Sequence, residues 1–212
     1  MSSRQLTAVS FSLYLVTDRQ RTAGRPLLEV VEAALQGGVD AVQLREKDLP
    51  AAALFALATH LRDLTRRYGA RLLINDRIDI ALAVGADGVH LPVDSFAPAD
   101  ARRLLGPDAL IGVSTHSVEQ ARAAAAGGAD FIVFGPVFDT PLKRAFGTPL
   151  GLDALAHVTG AVRVPVLAIG GLTADRVASV RQRGAHGVAV VAAILAADDP
   201  RMAAAALRAE LP

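Results

Sequence analysis

The fold this sequence predicts is a closed (β/α)8 TIM barrel of the α/β class, as a single domain over residues 1–212. Three observations carry the prediction. Eight short apolar runs recur along the chain, and segments of helical character alternate with them. The runs are nearly continuous in apolar residues, as strands of a parallel sheet buried on both faces should be. A local signature also repeats, as "GGVDAVQL", "VGADGVHL", "GGADFIVF" and "RGAHGVAV". Each copy reads as a helix end, a glycine turn, and a small or polar residue feeding a strand. The copies are too unevenly spaced for a solenoid array. A doubly wound sheet is the second choice, because it rarely needs eight βα units.

The elements follow in order. The first strand is "LYLVTD" (13–18), and "PLLEVVEAALQGG" after it has apolar residues at helical spacing and stops at a glycine pair. "AVQLRE" (41–46) is the second strand. The helix after it, "LPAAALFALATHLRDLTRRYG", carries arginine in its last turns, where the helix dipole favours positive charge. "RLLIND" (71–76) and "GVHLP" (88–92) are strands three and four, each followed by a short helix, near 77–84 and 97–105. "LIGVST" (110–115) leads into "SVEQARAAAAGG", where Ser117 is the N-cap and Gln120 its capping-box partner. "FIVFGP" (131–136) precedes the longest irregular stretch, "TPLKRAFGTPLG" (140–151), and a short helix near 152–158. "VPVLAIGG" (164–171) and "GVAVVAAI" (187–194) are the last strands, followed by the helices "TADRVASVRQRG" and "DDPRMAAAALRAEL".

Composition narrows the function classes. The chain of 212 residues is 52% hydrophobic but 4% aromatic, so Ala, Leu and Val build the core. Its formal charge of +1, from 22 basic and 21 acidic residues, gives no basic excess for nucleic acid or a membrane surface. It has no cysteine, which excludes a disulfide scaffold, a thiolate nucleophile and cysteine-ligated zinc or iron–sulfur centres. The most apolar segment, "GVAVVAAILAA", is about half of the ~20 residues that a membrane span needs. The N-terminal residues show no signal-peptide pattern. A cytoplasmic protein acting on small molecules is expected, without nucleic-acid or membrane partners and with homo-oligomerisation left open.

Barrel enzymes carry their chemistry at the C-terminal ends of the strands. The residues just after each run are therefore the candidates. In "QLREK", Gln43, Arg45 and Lys47 should share one side of an extended strand. Arg45 offers a fork for phosphate oxygens and Lys47 a point charge. Arg45 pointing into a packed barrel calls for a buried anion or an acidic partner. Asn75 and Asp76 end the third run, and Asp76 is either a Mg²⁺ ligand beside a phosphate site or the N-cap of the next helix. Asp94, in "HLPVDS", is the second carboxylate that could converge with it. Ser114 and His116 end the fifth run. Thr140 and Lys143 belong to the irregular stretch, where the Lys143–Arg144 pair could close over a phosphate as a lid. "AIGG" brings Gly170 and Gly171 to a strand-to-helix turn, where backbone N–H groups can approach an anion. The loops after strands seven and eight are the usual phosphate site of this fold, so Val191 and Ala192 join the candidates. The opposite strand ends, "GVD", "GAD" and "RVP", look like plain turns.

With these motifs in hand, the chain resembles the thiamine phosphate synthase and thiazole tautomerase superfamily. "YLVTD", "QLREK", "LLINDRIDIALAVGADGVHL", "GVSTHS", "FGPVFDTPLK", "AIGG" and "GVAVV" carry the likeness, which spans nearly the whole sequence. The resemblance implies coupling of a hydroxymethylpyrimidine diphosphate to a thiazole phosphate, with Mg²⁺ and release of diphosphate. By position it implies that Gln43, Arg45, Lys47 and Asn75 hold the pyrimidine diphosphate and that Asp76 binds Mg²⁺. Ser114 and Lys143 would contact diphosphate. Thr140 and Gly171, with Val191 and Ala192, would serve the thiazole phosphate. The synthases usually read "HLGQ", an acidic residue, then a metal-binding Asp; here Ser95 takes that Asp's place and Asp94 sits one residue early. "HLPVDSFAP" is more similar to the tautomerase branch, which moves a proton without metal and would use His116 as acid–base. Asp76 and Lys47 suit Mg²⁺–diphosphate chemistry, so the synthase is the expected activity, with tautomerase as the alternative. Ser95, Leu142 and Ala192, three missing polar groups, also motivate a non-catalytic phosphate-binding barrel that acts through a partner.

Overall fold

The computed structural model describes residues 9–140 and 148–212. Eight parallel strands close into a barrel in sequence order: β1 Leu13–Val16, β2 Ala41–Leu44, β3 Arg71–Asn75, β4 Gly88–Leu91, β5 Leu110–Thr115, β6 Phe131–Phe134, β7 Val166–Ile169 and β8 Gly187–Val190. β8 returns to β1 in register, with Tyr14 opposite Ala189. The helices on the outside include α1 Leu27–Gln36, α2 Ala51–Arg67, α3 Ile78–Val84, α4 Pro98–Leu105, α5 Val118–Ala126, α6 Gly151–Ala161, α7 Ala174–Gln182, α8 Ala192–Leu195 and α9 Pro200–Ala209. Among the described residues no helix is long and apolar enough to cross a membrane.

All eight expected strands form, seven of them one to four residues shorter than the apolar run that marked them. The last run stops being a strand at Val190, and Ala192–Leu195 turns helical. Three consecutive alanine-or-isoleucine positions beyond Val191 suit a helix as well as a strand, so apolarity alone did not mark the boundary. The helix expected near 152–158 runs from Gly151 to Ala161.

Alternation along each strand separates two cores. Leu13 and Leu15 face the helices, whereas Tyr14 and Val16 face the barrel interior with Leu73, Phe131, Val133 and Leu167. The interior is plugged by aromatic rings: Phe131 meets Phe11 edge-on at 5.2 Å and Tyr14 at 5.8 Å between centroids. Gly112 makes room for this plug, since a Cβ there would lie 2.2 Å from Phe131 Cζ.

The repeated signature has a physical meaning at the N-terminal face. The second residue of each copy is a glycine with positive φ: Gly38 (99°), Gly85 (59°), Gly128 (91°) and Gly184 (85°). Each closes a Schellman turn, in which the next N–H reaches back to a helix carbonyl: Val39 to Ala34 (3.1 Å), Ala86 to Ala81 (2.9 Å), Ala129 to Ala124 (3.0 Å) and Ala185 to Val180 (3.2 Å). The fourth residue then clamps another strand. Asp40 accepts from Ser12 and Leu13 N–H and from Arg208, Asp87 from Leu72 N–H, Arg62 and Arg71, and Asp130 from Ile111 N–H and Arg102. His186 Nε2 donates to the Phe11 carbonyl at 3.1 Å. "GVD" and "GAD" are therefore carboxylate clamps and not plain turns.

Candidate active site

At the opposite face, β2 holds one of the three candidates, Gln43, and Arg45 follows directly past its end. Gln43 is buried, and its Nε2 donates to the Tyr14 hydroxyl at 3.1 Å. Burial pushes the Tyr14 hydroxyl far above its usual pKa, against the pull of Gln43. Arg45 leaves the strand with its backbone N–H donated to the buried Thr17 hydroxyl at 2.9 Å. Lys47 does not continue the strand: β2 ends at Leu44, and Lys47 lies exposed in the following turn.

Two acidic residues adjoin these cations in sequence, yet neither pairs with them. Glu46 is buried and accepts from Arg19 N–H at 3.1 and 3.2 Å and from Arg19 Nη1 at 3.1 Å. Arg19 also forks onto Asp48, with one arm at 2.7 Å, and Gln20 adds a bond at 3.1 Å. The Arg19 bond pulls the Asp48 pKa down to about 2. Arg19 thus consumes both carboxylates, and Arg45 and Lys47 have no acidic partner among the described residues. The acidic partner expected for Arg45 is absent there; the half-buried guanidinium is left for an anion.

Lys47, Asn75, Asp76 and Arg77 line a cavity of about 260 Å³ with Leu44 and Glu46 at the ends of β2 and β3. Asp76 adopts a left-handed backbone (φ 64°) just past β3. Asp tolerates this conformation better than most residues, and such backbone occurs at functional sites. Its N–H donates to the His90 carbonyl at 3.0 Å, and its carboxylate accepts from the Ser95 hydroxyl. Asp76 does not cap α3; the N-cap position is Arg77, without a side-chain cap. Arg77 pairs with Asp79 at 2.8 Å. Ser95, not Asp94, meets Asp76; Asp94 lies exposed in the same turn. Among the described residues no group of three or more His, Cys, Asp or Glu side chains could hold a metal.

Strands four and five add an interior pair. His90 is fully buried, and its Nε2 lies 2.9 Å from Ser114 Oγ. Burial, with Arg45 nearby, pushes its pKa down to about 3. His116 is exposed, and its Nδ1 donates to the Gly135 carbonyl, with no partner for Nε2 among the described residues. Gln120 accepts from His116 N–H at 2.7 Å while its own N–H donates to Ser117 Oγ at 3.2 Å, so the Ser117–Gln120 start of α5 forms nearly as the capping box predicts.

Gly170 (φ 99°) and Gly171 (φ 63°) follow β7. A Cβ on Gly171 would lie 2.4 Å from the Asp139 carbonyl, and one on Gly170 2.6 Å from Pro136 Cα. The glycine pair is thus required by the β6 loop pressing on it. Val191 and Ala192 open α8 beside it in the barrel order. Thr140 is half-buried at the edge of the same face, and Lys143 lies outside the described residues. Sequence reasoning missed Arg19, Tyr14 and His90; the one signal for Arg19 was a cation directly after a strand end facing two acidic residues.

Fold and face together define a (β/α)8 barrel with cations and amides gathered at the C-terminal ends of its strands. More specifically, residues 13–194 match the thiamine monophosphate synthase family, and the chain belongs to it. A Geobacter sulfurreducens protein is 56% identical over 98% of this chain and 97% of its own length. The thiamine-phosphate synthase of Roseiflexus castenholzii is 48% identical over 92% of this chain and 86% of that one. Among solved structures, thiamine phosphate pyrophosphorylase from Pyrococcus furiosus superposes with a TM-score of 0.86 at 38% identity, covering 94% of this chain and 95% of that chain. A 3-hexulose-6-phosphate synthase, at 20% identity and TM-score 0.70, shares the barrel alone.

Proposed function

We propose that this protein couples 4-amino-2-methyl-5-hydroxymethylpyrimidine diphosphate to 4-methyl-5-(2-hydroxyethyl)thiazole phosphate, giving thiamine phosphate and diphosphate. The observation that supports this best is a pair of cations without acidic partners among the described residues: Lys47, which lines the cavity with Asn75 and Asp76, and Arg45, just past the end of β2. When the C–O bond to diphosphate breaks, its electron pair leaves with the diphosphate oxygens while positive charge grows on the pyrimidine methylene, and the lone pair of the thiazole nitrogen then forms the new C–N bond to that carbon. Arg45 and Lys47 stabilise the departing anion, Asn75 and Ser114 hydrogen-bond it, and Lys143 would add a further cation from the β6 loop. Gln43, held by its Nε2 on the Tyr14 hydroxyl, would contact the pyrimidine diphosphate from the barrel interior. Thr140, Gly171, Val191 and Ala192 receive the thiazole phosphate. No covalent nucleophile is required, which agrees with a chain that has no cysteine.

Mg²⁺ suits this donor set. One exposed carboxylate that caps no helix, Asp76, with Asp94 in the adjoining turn, fits an ion that takes one or two carboxylates and fills the rest with phosphate oxygens and water. Bound there, the ion would supply charge neutralisation for the leaving diphosphate.

The test is a coupling assay with purified protein and both substrates, with and without Mg²⁺. Product above background is expected, lost in Asp76→Ala; no product at high enzyme concentration refutes the reading. His116, at the end of β5 with Nδ1 on the Gly135 carbonyl and Nε2 unpartnered among the described residues, supports a second reading, the metal-independent tautomerase. That reading requires proton exchange on the thiazole carboxylate phosphate that disappears in His116→Ala. Turnover in either assay rejects the non-catalytic barrel. The reading implies small phosphate substrates and a cytoplasmic setting.

A further inference from the structure

Just inside the barrel from the proposed diphosphate contacts sits a polar side chain to which the coupling reaction gives no task. His90, on β4, is 2% exposed. Its ring lies 5.9 Å from those of Tyr14 and Phe131. One nitrogen, Nε2, meets Ser114 Oγ at 2.9 Å. The other, Nδ1, is buried without a partner among the described residues.

That orphaned nitrogen decides where the proton is. A proton on Nδ1 would bury an N–H with no acceptor, which forfeits its hydration outright. A proton on both nitrogens would add a fully buried cation beside the half-buried Arg45 and orphan the same N–H. A proton on Nε2 alone makes the bond to Ser114 and leaves Nδ1 only a lone pair, the group whose omission costs least.

We propose that His90 is a positioning residue: it donates Nε2–H to Ser114 Oγ and thereby turns the serine's own hydroxyl proton outward, committing Ser114 as a donor to the departing diphosphate. The opposite polarity, Ser114 donating to a basic Nε2, would make a nucleophile pair. Such a pair needs a group that orients the ring through Nδ1, and none is present among the described residues. Ser114 is therefore read as an anion donor. This inference rests on the proposed contact between Ser114 and diphosphate.

Two measurements test it. Long-range proton–nitrogen NMR on histidine-labelled native protein, with the His90 signals assigned by their loss in His90→Gln, should show a protonated Nε2 and a bare Nδ1. The reverse tautomer overturns the proposal without touching the proposed function. Calorimetric titration with inorganic diphosphate and Mg²⁺ is the second. His90→Leu should weaken binding about tenfold, the scale of one hydrogen bond to a charged group. His90→Gln, which retains an amide donor, should recover most of that loss. In a Ser114→Ala background, His90→Leu should change the affinity no further. An equal loss in that background would mean a merely structural role and would overturn the proposal. Ser114→Ala binding diphosphate as well as the native protein would overturn the Ser114 contact, while the tautomer is still judged by NMR on unaltered protein.

Discussion

Replacing Ser95 with aspartate should convert a hydrogen bond into a metal-dependent charge pair. In the native protein the Ser95 hydroxyl donates to Asp76 Oδ1. Ser95→Asp sets a second carboxylate against the first. Two unit charges about 4 Å apart repel by ~1 kcal/mol in water and ~4 kcal/mol at an effective dielectric of 20. Asp76 is exposed and Ser95 half-exposed, which places the cost near the lower figure, about 1 kcal/mol. For a protein of this size that lowers Tm by roughly 2–4 °C in chelator. A divalent cation between the carboxylates reverses the sign, so the variant should need less Mg²⁺, by about tenfold for each 1.4 kcal/mol recovered. Thermal melts in chelator and in Mg²⁺, with the Mg²⁺ dependence of coupling, read both effects. A variant with native Tm in chelator and an unchanged Mg²⁺ requirement would refute the placement of the cation at Asp76.

Two further predictions concern the supporting structure. Asp87 is 12% exposed and holds Leu72 N–H at 2.8 Å together with Arg62, itself 14% exposed, so Asp87→Ala should cost about 3–5 kcal/mol in urea unfolding; a loss under ~1 kcal/mol would sink the clamp. Burial raises the Asp87 pKa, but Leu72 N–H, Arg71 and Arg62 outweigh it and the net direction is down. Its contribution is therefore complete above the ordinary Asp value of about 4 and fades as pH falls through the lowered folded value, so the gap between native protein and Asp87→Asn should narrow in acid. Arg19→Met releases Glu46 and Asp48 beside Arg45 and Lys47, and the KM for the pyrimidine diphosphate should rise about tenfold, the scale of one charge-assisted contact. An unchanged KM would show that Arg19 does not keep those cations free.

The barrel was legible because its signals are local. Continuous apolar runs mark doubly buried strands, and glycines at Gly38, Gly85, Gly128 and Gly184 mark where helices must stop. The strand-end motifs placed Arg45, Asn75, Asp76 and Ser114 at one face, because parallel strands of one barrel all end on the same side. Lys47 was misplaced because alternation holds only while the strand lasts, and β2 ends three residues earlier. Asp76 read equally well as a helix cap, since capping and metal binding use the same side chain at the same place; the left-handed backbone that turns it toward Ser95 is invisible in composition.

The sequence by itself determined the order and type of the strands, the family, and the residue types at the active face, because these follow from period, glycine placement and short motifs within each βα unit. Only the tertiary structure decided how those residues are spent. Arg19 takes Glu46 across 27 residues, Asp87 takes Leu72 across 15, and His90 meets Ser114 across 24. Barrel closure sets those partners by bringing neighbouring strand ends together in register. Whether a given carboxylate is a clamp, a counter-ion or a free ligand depends on which cation or N–H that register delivers to it.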